Sequence, residues 1–164
     1  MDELKNITVA FTGHRYYARQ SDAKLMLTLR QLYARGYSRF LCGMAWGFDL
    51  AAGEAVLELK AEHPEVELIA VVPHRGFFKL FHGDDARQYE RVADGADGAE
   101  VICDVASERS YLMRNDYLVQ NASMVVAWWD GVPHGGTAYT LREARYAKIE
   151  IINLYPDPQL DFGF

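Results

Sequence analysis

Five short segments of the chain concentrate residue types that capture anions. They are TGHR at 12–15, GMAWGFD at 43–49, PHR at 73–75, the Arg114-Asn115 pair in MRND, and DGVPHGGT at 130–137. Glycine admits positive φ and lets a ligand come close enough to meet backbone N–H groups. Arginine adds a planar fork of donors that matches phosphate or carboxylate, and asparagine can bond a base edge or hold a loop. The combined chemistry is that of a pocket for a small phosphate-bearing ligand.

Each segment also has a plainer reading. Gly13 with His14 and Arg15 offers close backbone approach and two donors; a plain turn needs only the glycine, and His14 equally suits a structural role. Gly43 and Gly47 bracket a turn through Met44 and Ala45 whose amides can face an anion at the start of the next helix, where the dipole adds positive charge. Asp49 reads first as that helix's cap and second as an acceptor for ligand hydroxyls such as those of ribose. Pro73 follows the third apolar run, with His74 and Arg75 behind it. Arg114 is either a solvated helix arginine or, early in its helix, a phosphate fork beside Asn115. Asp130 supplies a carboxylate. Gly135, Gly136 and Thr137 precede a helical pattern, where amides and a hydroxyl bind phosphate in many α/β proteins. Their spacing is neither a Walker loop nor GxGxxG, and the rival reading is a tight turn.

The elements that must position these residues alternate. Apolar runs start at Ile7, Arg39, Val66, Ala99, Ser123 and Glu150, without strict alternation, as for strands covered on both faces. Amphipathic segments lie between them, at 21–35, 49–62, 84–96, 108–122 and 136–148. Ser21 suits a cap of the first and Gly36 its end, while Pro64 follows the second. The pattern predicts βαβ units in a mostly parallel sheet, an α/β Rossmann-like three-layer fold in a single domain. Its core spans about residues 7–154, followed by a short tail. All five anion-binding segments then fall at the carboxyl ends of strands, where ligands sit in open parallel sheets. Residues 74–84 fit no periodic template and are expected as a loop, with Phe77, Phe78 and Phe81 in a lid or a satellite cluster. Trp128 and Trp129 end the fifth strand on opposite faces, one for the core and one for a base or an oligomer contact.

Composition narrows the function. The 164 residues carry 17 Lys and Arg against 23 Asp and Glu, a net charge of −6, so nothing attracts nucleic acid or an anionic membrane globally. Anions must be caught locally, by Arg15, Arg75, Arg114 and the loop histidines at one rim. Cys42 and Cys103 lack metal-site spacing and are expected as buried thiols; no structural metal is expected, although a nucleotide could bring magnesium. The N-terminus lacks a basic segment followed by an apolar one, and no run nears a membrane span, so a cytoplasmic location is expected. A homo-oligomer stays open.

TGHR, GMAWGFDLAAGEAVLELK, MRNDYLV and GGTAYTLREA, in this order, resemble the YpsA-like proteins of the SLOG superfamily, the Rossmann-like group that includes the DNA-processing protein DprA and the Lonely Guy phosphoribohydrolases. The resemblance spans roughly residues 7–154. It implies a nucleotide or nucleotide-derived ligand, bound for sensing or signalling. Lonely Guy enzymes are similar in a helix arginine, which Arg114 matches, and in a glycine-rich loop followed by an assisting glutamate, whose place Thr140 takes here. A hydroxyl cannot replace a carboxylate acid or base near neutral pH. The expected function is therefore binding or sensing of a nucleotide-derived anion without a clear catalytic set. A nucleotide N-glycosidase or phosphoribohydrolase-like enzyme using Asp49, Asp130 or Arg114 is the alternative. A single-stranded DNA binder, suggested by the likeness of GMAWGFDLAA to DprA, ranks last because the chain lacks a basic surplus.

Overall fold

A computed structural model describes residues 2–156. Six strands form one parallel sheet: β1 (Thr8–Gly13), β2 (Arg39–Cys42), β3 (Glu67–His74), β4 (Gly98–Cys103), β5 (Met124–Trp128) and β6 (Glu150–Asn153), in the order β4-β3-β2-β1-β5-β6. Six helices accompany them: α1 (Asp2–Asn6), α2 (Asp22–Ala34), α3 (Phe48–Glu62), α4 (Gly83–Gly95), α5 (Glu108–Gln120) and α6 (Gly136–Tyr146). The two-residue period of the strands sorts their side chains between two apolar layers. Phe11, Phe40, Leu68 and Met124 pack with α2 and α3 on one face. On the other, Ala10, Leu41 and Val71 meet Leu118 of α5, and Val125 meets Leu141 of α6. Helix α3 lies between α2 and α4, and seven of its apolar or small residues from Phe48 to Leu59 are buried along with Asp49.

The strand order sets where ligands fit. From β1 the chain steps outward through β2, β3 and β4, then returns to lay β5 on β1's other side, pairing Thr12 with Ala127 and Gly13 with Trp128. Helices leaving β1 and β5 go to opposite faces, which opens a crevice at the carboxyl ends of these neighbours. It is the topological switch point of the sheet.

All six expected strands are present, and three local expectations are corrected. Helix α3 starts at Phe48 with Gly47 as its N-cap at φ +86°, so Asp49 is not the cap. Pro73 lies inside β3 rather than in a loop after it. Pairing of β2 with β3 ends at Cys42 opposite Ala70, so beyond that point β3 needs no N–H for a ladder on that side. Residues 77–80 form a 3-10 turn that buries Phe77 and Phe81 in the main core and leaves Phe78 exposed. The start of the C-terminal tail is described to residue 156 and its remainder lies outside the described residues. Among the described residues, no helix is long and apolar enough to cross a membrane.

Candidate functional site

A cavity of about 690 Å³ occupies the β1–β5 crevice, and the loops after β1 and β5, the start of α3 and one stripe of α5 all reach it. Its floor includes Phe11, Thr12 and Gly13 of β1. Gly13 is not a positive-φ glycine; a Cβ there would stand 2.5 Å from the Phe48 ring, so its small size lets α3 close on the strand. His14 and Arg15 follow on the rim. Arg15 lies over the Trp46 indole, with its guanidinium carbon 4.4 Å from the ring centroid and 5.9 Å from that of Tyr111. Two aromatic faces therefore hold this cation at the mouth.

The three helix starts around the cavity differ in what they offer. Ser107 and Ser110 seal α5 with reciprocal side-chain bonds of 3.1 and 3.2 Å to each other's N–H. At α3, Phe48 N–H donates to His14 O and Leu50 N–H to Ala45 O, both at 3.2 Å. The expectation that the Gly43–Gly47 turn presents its amides to an anion is corrected, because the Ala45 N–H turns to Asp49 and most of the turn stays off the cavity. Gly43, Met44 and Gly47 do not line the cavity, although Ala45 does. Met44 is buried at φ +65°, and Gly47 packs against the Arg15 backbone. At α6 the N-cap is Gly135, at φ +97°, and no side chain caps the helix. Gly135, Gly136 and Thr137 line the cavity, so the free N–H groups and positive dipole end of α6 open into it.

Arg114 and Asn115 reach the cavity from the second turn of α5. Arg114 is 5% exposed. Its Nε donates to Asn115 Oδ1 at 2.8 Å and its Nη1 donates to Gly43 O. Burial pushes its pKa down from the ordinary value, opposed by Asp49 and Cys42. The guanidinium is nevertheless a permanent charge. Across Gly43 stands Asp49, 6% exposed, whose Oδ2 accepts from Ala45 N–H at 3.4 Å while Oδ1 has no partner. Burial pushes this carboxyl up to about 6, against the pull of Arg114, the Ala45 N–H and Arg15.

Asp130 lies just outside the cavity and braces its rim. It accepts from Tyr16 Oη at 2.8 Å and from Val132 N–H at 3.0 Å; its own N–H donates to His14 Nε2 at 3.1 Å, and its Oδ1 lies 3.0 Å from the same nitrogen. The Val132 N–H first, then Tyr16 and His14, holds its carboxyl below the usual range. Tyr16 stacks on His14, with centroids 4.9 Å apart and planes at 11°, and stays 54% exposed.

A family model described as YspA SLOG family (YpsA) matches residues 11–156. The chain belongs to this family. Among its relatives, the SPbeta prophage-derived protein YoqJ of Bacillus subtilis is 28% identical over 82% of this chain and 86% of its own. A UPF0398 protein of Halalkalibacterium halodurans is 27% identical over 70% of this chain and 61% of its own. Two solved structures share the fold. DNA processing protein A (DprA) from Streptococcus pneumoniae aligns with a TM-score of 0.68 at 19% identity, over 98% of this chain and 54% of that one. The Helicobacter pylori DNA processing protein A, whose structure concerns single-stranded DNA binding, gives 0.64 at 18% identity, over 90% of this chain and 64% of that one. This SLOG domain thus spans about half to two thirds of those longer proteins.

Not every residue expected at the rim reaches the cavity. Pro73 and Arg75 do not line the cavity, because β3 is separated from β1 by β2. Arg75 pairs with Asp104 at 3.0 Å, and His74 is buried beside Phe77 and Tyr111. Trp128 is core, while Trp129 packs beside α6 with Nε1 bonded to Val132 O. Cys42 is buried but Cys103 is only half-buried, since it lies on edge strand β4. Tyr16 and Tyr111 were missed as cavity residues. Tyr111, Arg114, Asn115 and Leu118 recur at i, i+3, i+4, i+7, a helical stripe that could have placed all four on one face.

Proposed function

We propose that this SLOG domain binds a nucleotide-derived anion in the β1–β5 crevice. One observation carries the reading: the uncapped start of α6 and the guanidinium groups of Arg15 and Arg114 meet in a single cavity of a chain with net charge −6. A phosphate accepts from the Gly136 and Thr137 amides, which the helix dipole reinforces. Tyr16 supports a nucleotide over a simple phosphate, because its ring is fixed by Asp130 and His14 at the rim and keeps an exposed surface for a base. The test is a search by mass spectrometry for small molecules released on denaturing the purified protein, together with melting curves in added nucleotides. A bound ligand at one hundred times its Kd adds about 2.7 kcal/mol to stability. If nucleotides leave the melting curve unmoved while an oligothymidylate binds with a steep salt dependence, single-stranded DNA replaces the reading.

A second reading rests on the Asp130–His14 contact. His14 lines the cavity with the Asp130 carboxylate beside it just outside, and an imidazole next to a carboxylate is an arrangement that general acid–base catalysis uses. It predicts hydrolysis of the bound nucleotide. Thr140 cannot take part as an acid or base; it is 1% exposed, and its hydroxyl donates to Gly136 O at 2.9 Å. Chromatography of the incubated nucleotide separates the readings: an unchanged ligand favours binding alone, and base, sugar phosphate or free phosphate favours turnover.

A further inference from the structure

The cavity contains a group that an anion site does not need. Asp49 is a carboxylate, nine-tenths buried, lining the same cavity as Arg15 and Arg114, and a phosphate set beside it would be repelled. Its Oδ1 is enclosed and accepts no hydrogen bond, whereas buried polar oxygens in proteins are almost always satisfied. Its Oδ2 has only the long bond from Ala45 N–H. Neither is the side chain needed as a helix cap, since Gly47 holds that place. A carboxylate kept under these conditions wants donors from outside the protein, and the part of a nucleotide that offers donors without charge is its sugar.

Resting on the reading of the crevice as a nucleotide site, we propose that Asp49 is the acceptor for the ribose hydroxyls of the ligand, so that the site selects ribose-bearing ligands over those without a 2′,3′-diol. Rotation about the Cβ–Cγ bond of aspartate is soft and brings either oxygen to the cavity. The division of labour follows from charge. The α6 amides and guanidinium groups take the phosphate, and the carboxylate takes the neutral polar side of the sugar.

The experiment compares the intact wild-type protein with D49N in calorimetric titrations. The probes are the four ribonucleoside 5′-monophosphates, their 2′,3′-dideoxy counterparts, and pyrophosphate. Hydrogen bonds to a charged acceptor predict that the wild type prefers at least one ribonucleotide to its dideoxy partner by about tenfold or more. In D49N that preference falls to about threefold or less, while pyrophosphate binding persists. Equal binding of both sugars by the wild type overturns the assignment of Asp49 and leaves the anion site standing. Absence of binding by every probe overturns the anion site and this inference together. If D49N does not fold, the wild-type comparison decides by itself.

Discussion

Gly43 is the partition between Asp49 and Arg114. A Cβ at this position would lie 2.9 Å from Asp49 Oδ2 and 3.0 Å from Arg114 Nη1, and the Gly43 carbonyl accepts from the same guanidinium. Backbone, carboxylate and guanidinium thus set one another's positions at the inner end of the cavity.

Replacing Gly43 with alanine therefore pushes both charged side chains at once. Overpacking of a closed site costs about 1–3 kcal/mol, and nucleotide affinity is expected to fall by about tenfold or more because two charged groups lining the cavity move together. Denaturant titration and calorimetry on G43A check the two effects; unchanged affinity would show that the partition does not govern the site.

Asp49 ties stability to pH. Its carboxyl titrates near 6 in the folded chain against an ordinary 3.8, so the unfolded state gives up its proton first as pH rises. Whatever stability the protonated form provides is present below pH 4 and lost as pH climbs through 6. At 1.36 kcal/mol per pKa unit the cost at pH 8 is about 3 kcal/mol, reduced in D49N by the support that Arg114 then loses. The stability of D49N in urea relative to the wild type is expected to rise between pH 4.5 and pH 8 by on the order of 1 kcal/mol. A relative stability that does not rise with pH would contradict the burial of this charge.

Arg114→Met is expected to do the reverse. It leaves Gly43 O without its donor and removes the cation nearest Asp49, costing about 2–3 kcal/mol, and more at pH 8 than at pH 4.5. It also abolishes anion binding. Retained pyrophosphate binding in a folded R114M would place the anion elsewhere.

Gly13→Ala tests packing against ligand approach. The added methyl meets the Phe48 side chain, Cγ at 2.5 Å and Cβ at 2.6 Å, so a loss of about 1–3 kcal/mol is expected in denaturant titration of G13A. A ligand-contact role would instead reduce affinity with stability intact.

Tyr16 separates base from phosphate. Y16F loses a bond to Asp130 at an exposed site and should change stability by less than about 1 kcal/mol while keeping the ring. Y16A is expected to weaken nucleotide binding by about tenfold or more, in line with the worth of one stacked base, and to leave pyrophosphate binding unchanged. Equal losses for both ligands would remove the stacking role.

The parallel sheet was legible because strands covered on both faces need unbroken apolar runs, such as those around Val9, Ile69 and Val125. The open start of α6 was legible for a similar local reason, since Gly135 before Gly136-Thr137 provides no capping side chain. Asp49 as the helix cap was misread, because Ser, Asp and Asn are the usual caps and nothing in the local pattern reveals that Gly47 takes the role. Nothing local marks Tyr16 as a site residue, because its partners, His14 and Asp130, belong to a long-range contact between the loops after β1 and β5.

By itself, then, the sequence determined which segments become strands and helices and that the glycine- and arginine-bearing loops gather at one edge, because those follow from periodicity and turn chemistry within about a dozen residues. Only the tertiary structure decided which loops share a cavity. The order β4-β3-β2-β1-β5-β6 sets β1 beside β5 and leaves β3 two places from β1, which brings Arg15, Asp49, Arg114 and Gly136 together and excludes Pro73 and Arg75. Strand order is settled by the packing of whole faces, and burial among those faces is what gives Asp49 and Arg114 their unusual chemistry.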